Sequence, residues 1–534
     1  MDGHRPIIAS RAGVVAAAHP LAAAAGAHIL ERGGNAFDAA VATAAALGVV
    51  EPFMSGLAGL GMATCWVAGD QRIRTLNFRT AVPAGFPLGR YSRREELALG
   101  AMAAAPPGNL AGWYDLISAH GTRTFAQALA PAIALARDGF PLLEFNTASI
   151  NAAADLLRGQ PFFGAWSATY TAGRGSVRQG QVLRQPDLAA TLEAIAADGP
   201  KHLYGGPLGH RLVEHVQSLG ACMTMADLEA VSPAWGKPVS AAYRDLVVHV
   251  PRPPSQAFQL LLTLRILDGF ELAGMECNGA AHLDTVWRAI RLAAMRRIAH
   301  DNPSEEELDR LCDDETVGGL RERVADRAPI EGQVEQWQAP DPAPAGPAEQ
   351  HTTSLSVADR AGNLVCLTQS LGGKFGCGVV VPGTGVCLNN ALYWREDDPR
   401  ATNTLVPGRT LTTPMAPSIA TREGAPVLAL GTPGSYGICQ TQAQAMVQYV
   451  DFALPLQEAI EAPRARLWDG RRVTAESRIG AAILDELRER GHVIEAPEAW
   501  TMLVGGMQAV AIDPRTRVAI GAADPRRDGY VAAA

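Results

Sequence analysis

Residues 329–350 constrain this chain more than any other segment. Pro329, Pro340, Pro342, Pro344 and Pro347 stand there with Gln, Glu and Gly between them. Each proline fixes φ and removes a backbone donor, so neither a helix nor a central strand can run through the segment. We read an extended, mobile connection. It ends on Gln350-His351-Thr352-Thr353-Ser354, where a strand is predicted to begin. A cut before Thr352 would leave its hydroxyl and a new α-amino group together at a strand end. That pairing is a nucleophile and a base on one residue: the hydroxyl attacks a carbonyl while the amine, with a reference pKa of ~7.7–8.0, takes its proton at neutral pH. Threonine also favours strands for its own sake, so the dipeptide alone reads first as the plain start of a strand.

Before this connection the pattern is mostly helical. Residues 14–50 read as a long helical region, with Leu21, Ala25, Ile29 and Leu30 near helical spacing. Gly33-Gly34-Asn35 breaks it, and Asn35 is placed to cap a second helix over 38–49. Residues 63–77 alternate apolar and polar around Gly69-Asp70, a hairpin signature. Further helices are predicted at 124–136, 187–198, 206–219 and 281–299. After the connection, strands dominate: 353–357 and 364–370, then 378–382 and 385–388, then 427–430, and a hairpin over 506–520. Helices at 440–449 and 456–462 lie among them. This order of helices and antiparallel strands predicts an α+β layered fold.

Composition excludes several classes. The 534 residues carry a net charge of −8, and the 46 Lys and Arg are scattered, so no basic patch marks a nucleic-acid binder. The Ala-rich stretch 14–30 is interrupted by His19, Pro20 and His28 and falls short of a membrane span. Asp2, His4, Arg5 and Arg11 leave no apolar core for a signal peptide in residues 1–11. Eight cysteines without a CxxC pair disfavour a metal cluster and a disulfide framework. His210 and His215, five apart, do not share a helix face, so no metal is expected there. A soluble, cytoplasmic protein without membrane or nucleic-acid partners is the expectation.

A second candidate site is the turn Gly431-Thr432-Pro433-Gly434-Ser435, after an apolar strand. Successive amides in a Gly-rich turn can converge on a developing oxyanion, although a plain tight turn has the same appearance.

Taken in order, these segments resemble the γ-glutamyltranspeptidase family of N-terminal-nucleophile hydrolases over nearly the whole chain. The resemblance is carried by Gly33-Gly34-Asn35-Ala36-Phe37-Asp38-Ala39-Ala40-Val41-Ala42, Pro107-Gly108, Gln185-Pro186-Asp187-Leu188-Ala189, Tyr204-Gly205-Gly206, Pro253-Pro254-Ser255 and Ala523-Asp524-Pro525-Arg526. It implies a proenzyme that cuts itself between His351 and Thr352. The products would be a large chain, 1–351, and a small chain, 352–534, folded together as a four-layer αββα sandwich. Thr352 would be the nucleophile and Ser370 the second hydroxyl, a Thr in typical members. The backbone amides of Gly434 and Ser435 would hold the oxyanion, with Ser435 standing where the family has Gly. No metal or organic cofactor is implied. The partners are the two chains and a small-molecule amide; a homo-oligomer is left open.

Departures from the family pattern bear on substrate. The Arg that binds the α-carboxylate is kept as Arg79 in Asn77-Phe78-Arg79. The acidic residue that binds the α-ammonium, four positions after the Asn pair Asn389-Asn390, is Trp394, and the adjacent Arg395 would repel an ammonium. The family's Asn after the second hydroxyl is Gly372, and its Ser-Ser pair at the carboxylate is Thr413-Pro414. These changes imply an amide whose acyl group bears a carboxylate but no α-amino group. Oxamate amidohydrolases and glutaryl-type cephalosporin acylases are the family branches that fit, and Tyr393 with Trp394 favours the smaller acid. The alternatives are a γ-glutamyltransferase or glutathione hydrolase, and an uncleaved binding protein.

Overall fold

The computed structural model describes residues 5–335, 351–398 and 400–534; most of the proline-rich connection lies outside them. Among the described residues two seven-stranded sheets stand out. In the first, Thr353–Asp359 lies between Gly13–Ala17 and Leu364–Ser370, and Leu60–Val67, Arg72–Asn77 and Ala234–Gly236 continue from Leu364–Ser370. In the second, Ala425–Gly431 lies between Ser418–Arg422 and Gln508–Ile512, with Leu246–Val250 and Val239–Tyr243 on one side and Ala519–Ala523 on the other.

The strand faces alternate with period two, and both faces are buried. Val14 and Ala16, Ala358, and Leu364 and Cys366 meet Ile419, Ala429 and Val510 in a core between the sheets. Their neighbours Val15, Ala17, Leu355, Val357, Val365 and Leu367 face the other way, toward helices Pro20–Glu31 and Ala36–Val50. On the far side, Ala420, Leu428, Ala509 and Ala511 pack on Phe258–Leu267, Ala280–Ala299 and Ile438–Val450. The result is the expected α+β fold in four layers, αββα.

Asn35 caps its helix, accepting from the amides of Phe37 and Asp38, while Asp38 reaches back to the Asn35 amide. The predicted helical region 14–50 needs one correction. Gly13–Ala17 is a buried strand, because Val14 and Val15 are β-branched and find two apolar faces to fill. The predicted pair 378–382 and 385–388 shrinks to Val380–Val381 and Val386–Cys387.

Candidate active site

Strand register brings the two predicted hydroxyls together. Thr353 pairs with Gln369, so Thr352 and Ser370 stand opposite each other at the strand ends. Their hydroxyls are 3.4 Å apart, and both donate to the His351 carbonyl, at 2.7 Å from Thr352 and 2.6 Å from Ser370. Alternation also decides where they point. Ser354 and Ser356, in phase with Thr352, reach the second sheet: Ser354 Oγ donates to Gln508 Oε1 at 2.5 Å and Ser356 Oγ to the Gln508 carbonyl at 3.0 Å. Thr352 therefore faces the space between the sheets. Thr353 faces the helices, where its Oγ1 donates to Glu51 at 2.8 Å. Burial pushes the Glu51 carboxyl up to about 7, against the Thr353 bond and the Arg527 charge.

Across that space the strand Ala425–Gly431 delivers the second candidate turn. Gly434 has φ +139°, Ser435 has φ +56°, and the helix Ile438–Val450 begins just beyond, where unsatisfied amides gather. The Gly434 carbonyl accepts from Gly437 N at 2.9 Å and Arg466 Nη1 at 3.2 Å.

Arg79 follows the strand Arg72–Asn77. Its amide is held by Asn77 Oδ1 at 3.0 Å and its Nη1 donates to the Leu411 carbonyl. Burial pulls its guanidinium down to about 10, with Tyr436 and Asp301 opposing, so it is charged at neutral pH. The loop it touches is fixed by residues that no motif announced. Thr412 N donates to Asn403 Oδ1 at 2.7 Å, Thr412 Oγ1 to Asp301 at 2.9 Å, and Gln256 N to the Thr413 carbonyl at 2.7 Å. Arg79, Thr352, Ser370, Trp394, Thr413 and Ser435 all line one cavity of about 20 Å³, room for about one water. His351 adjoins this lining through its carbonyl, which Thr352 and Ser370 both contact, and Gly434 through its peptide bond to Ser435.

A match to the family described as Gamma-glutamyltranspeptidase spans residues 22–534. The chain belongs to the γ-glutamyltranspeptidase family. It is 35% identical to the acylase ACY 1 proenzyme of Pseudomonas sp. (strain V22), covering 98% of this chain and 94% of that protein. It is 30% identical to the oxamate amidohydrolase proenzyme of Klebsiella pneumoniae subsp. pneumoniae, over 97% of this chain and 98% of the relative. Among solved structures, the cephalosporin acylase from Bacillus halodurans superposes with a TM-score of 0.91 at 29% identity, covering 100% of this chain and 98% of that one.

Against the γ-glutamyltranspeptidase pattern, two departures lie side by side. Gly372 has φ +98°, and a Cβ there would stand 2.2 Å from Asn390 Oδ1 and 3.3 Å from Trp394 Nε1. A side chain at 372 would collide with Asn390, with the Trp394 indole in close contact beside it. The Trp394 carbonyl accepts from Asn403 Nδ2 at 2.8 Å, and its ring lies 5.8 Å from that of Tyr436. The expected repulsion from Arg395 is not what the structure places there. Arg395 is turned onto Asp397 at 2.7 Å and onto the carbonyls of Tyr91 and Ser92 at 2.8 and 2.7 Å, so its charge is neutralised outside the cavity.

Proposed function

We propose that this γ-glutamyltranspeptidase-family protein is a self-processing amidohydrolase acting on an amide whose acyl group carries a carboxylate and no α-ammonium. The observation that carries it is one cavity shared by a hydroxyl pair, a Gly-rich turn, a charged Arg79 and Trp394. In maturation, Thr352 Oγ attacks the His351 carbonyl, the peptide C–N bond breaks as the ester C–O bond forms, and water hydrolyses the ester. Chains 1–351 and 352–534 result. The freed α-amine of Thr352 then takes the hydroxyl proton as Oγ attacks the substrate amide. The amides of Gly434 and Ser435 hold the oxyanion. The leaving amine departs with the proton, and water releases the acid from the acyl-enzyme. Ser370 tunes the Thr352 hydroxyl, and Arg79 with Thr413 grips the acyl carboxylate, a guanidinium being suited to bidentate pairing. Trp394 stands where an ammonium partner would be needed and offers no negative charge.

A short acyl group such as that of oxamate is favoured by the narrow cavity under Trp394. A second reading, an acylase for larger amides, is supported by the likeness to the ACY 1 and cephalosporin acylases. A hydrolysis screen of oxamate, glutaryl-p-nitroanilide and γ-glutamyl-p-nitroanilide tests both. The carboxylate-only amides are expected to turn over at least about tenfold faster. γ-Glutamyl turnover at a comparable rate overturns the assignment of Trp394. Wild-type protein is expected as two bands near two-thirds and one-third of the mass, and Thr352→Ala as one inactive full-length band.

A further inference from the structure

The segment 332–335 is pinned beside the candidate oxyanion turn. Gly470 N donates to the Gly332 carbonyl at 3.0 Å. The amides of Val334 and Glu335 both donate to Asp469 Oδ1, at 2.7 and 3.0 Å, and Arg297 donates to the Val334 carbonyl. The segment so held presents the buried Glu335 carboxylate to Arg466 Nη2 at 2.9 Å. Arg466 is confined on two sides. Its guanidinium lies 4.2 Å from the centre of the Trp468 ring, and its atoms stand 3.4 Å from where a Cβ on Gly437 would be. Nη1 donates to the Gly434 carbonyl at 3.2 Å, beside the turn bond from Gly437 N at 2.9 Å.

That carbonyl belongs to the same peptide unit as the Ser435 amide. The unit is planar and trans, so the C=O and the N–H point in opposite directions and turn together. Gly434 has no side chain to resist rotation of this unit. Fixing its oxygen fixes the direction of the Ser435 N–H. We propose that Glu335, acting through Arg466, is a positioning residue that locks the Gly434–Ser435 peptide with its N–H aimed at the oxyanion. The inference rests on the function proposed above. It adds that the large chain completes the oxyanion site of the small chain, since Glu335 lies before the cleavage point and Arg466, Gly434 and Ser435 lie after it. A buried ion pair is weak evidence of a contribution to stability, whereas aiming a donor acts on the transition state and shows in kcat.

The test is steady-state kinetics on purified two-chain enzyme, using whichever of oxamate, glutaryl-p-nitroanilide and γ-glutamyl-p-nitroanilide the wild type hydrolyses fastest. Removing an oxyanion donor costs about 10²–10³ in kcat, and mis-aiming one should cost less. Glu335→Gln is expected to lower kcat about tenfold with KM within about twofold, and Glu335→Asp, which keeps the charge, to fall between it and wild type. Wild-type kcat in Glu335→Gln overturns the proposal, as does a rise in KM that accounts for the whole loss. If Glu335→Gln yields no folded enzyme, Glu335→Asp decides: a lowered kcat at unchanged KM supports the lock, and wild-type kcat removes it. Thr352→Ala, run alongside, separates the two levels, because activity surviving there sinks the proposed function itself.

Discussion

The two ends of the cavity are built in different ways. The nucleophile end is set by strand register: Thr352 and Ser370 meet because Thr353 pairs with Gln369 in the middle of a sheet buried on both faces. The proposed acyl-binding end is set by loops, in which Arg79, Trp394 and Thr413 are held by Leu411, Asn403 and Gln256. Register admits few alternatives, since a slip of one residue would turn every side chain of the strand to the other face. Loops change one side chain at a time, and here Gly372 and Trp394, neighbours in space, both depart from the family pattern. On the proposed function, chemistry would reside in the part that cannot drift and specificity in the part that can.

The strongest way to break this contrast is at Arg79. If the loop end grips a carboxylate, Arg79→Met should lower kcat/KM by on the order of 4 kcal/mol, about a thousandfold, by leaving a desolvated carboxylate without its partner. Band-shift gels should still show complete self-cleavage, which does not use the acyl grip. Loss of cleavage together with turnover would mean that the two ends are not separate.

The nucleophile end is probed next through Glu51. Its folded-state value of about 7 lies above the 4.5 expected for the unfolded chain. The folded protein therefore holds this proton more tightly. The contribution is complete below about pH 4.5 and is lost as pH rises through about 7, amounting to at most about 3 kcal/mol. Glu51→Gln mimics the protonated acid and still accepts from Thr353. Urea melts at pH 5.5 and pH 8 should show wild type losing more stability than the variant on going up in pH. Equal losses would contradict the assignment.

How far the sequence disclosed all this follows the same division. Thr352 and the Gly434 turn stood out as candidates because each sits at the end of a strand with a strong local pattern, whereas Ser370 came only from the family resemblance. Asp301, Asn403 and Glu335 did not stand out. Their partners lie 111, 9 and 131 residues away, and a lone Asp, Asn or Glu carries no periodicity. The hairpin Val239–Tyr243 and Leu246–Val250 escaped for a related reason. Its turn places Arg244 at φ +54° without a glycine, held instead by Asp268 Oδ1 at 2.9 Å and Asp451 Oδ1 at 2.8 Å. Strand Gly13–Ala17 was hidden by alanine, which suits helix and buried sheet alike.

The loop end can be sharpened at Trp394. Trp394→Asp returns a carboxylate to the ammonium position, and Gly372 leaves it space. The ratio of γ-glutamyl to glutaryl turnover should rise about thirtyfold, roughly 2 kcal/mol. An unchanged ratio would place the control of specificity elsewhere.

The smallest effect is expected at Ser435, where the two kinds of construction meet. A non-glycine residue at φ +56° carries backbone strain of order 1 kcal/mol or more. Ser435→Gly relieves it and in return gives the unfolded chain more freedom, so the net gain, read from urea unfolding, should stay below about 1 kcal/mol. Turnover is the informative half of the measurement. The oxyanion donor proposed at this position is a backbone amide, and the peptide that carries it is held at the Gly434 carbonyl by Arg466 and the Gly437 amide. A kcat within about twofold of wild type is therefore expected. A large fall would mean that the Ser435 side chain, and not the carbonyl clamp, keeps the turn in its working conformation, and the rigid half of the site would then depend on a single replaceable residue.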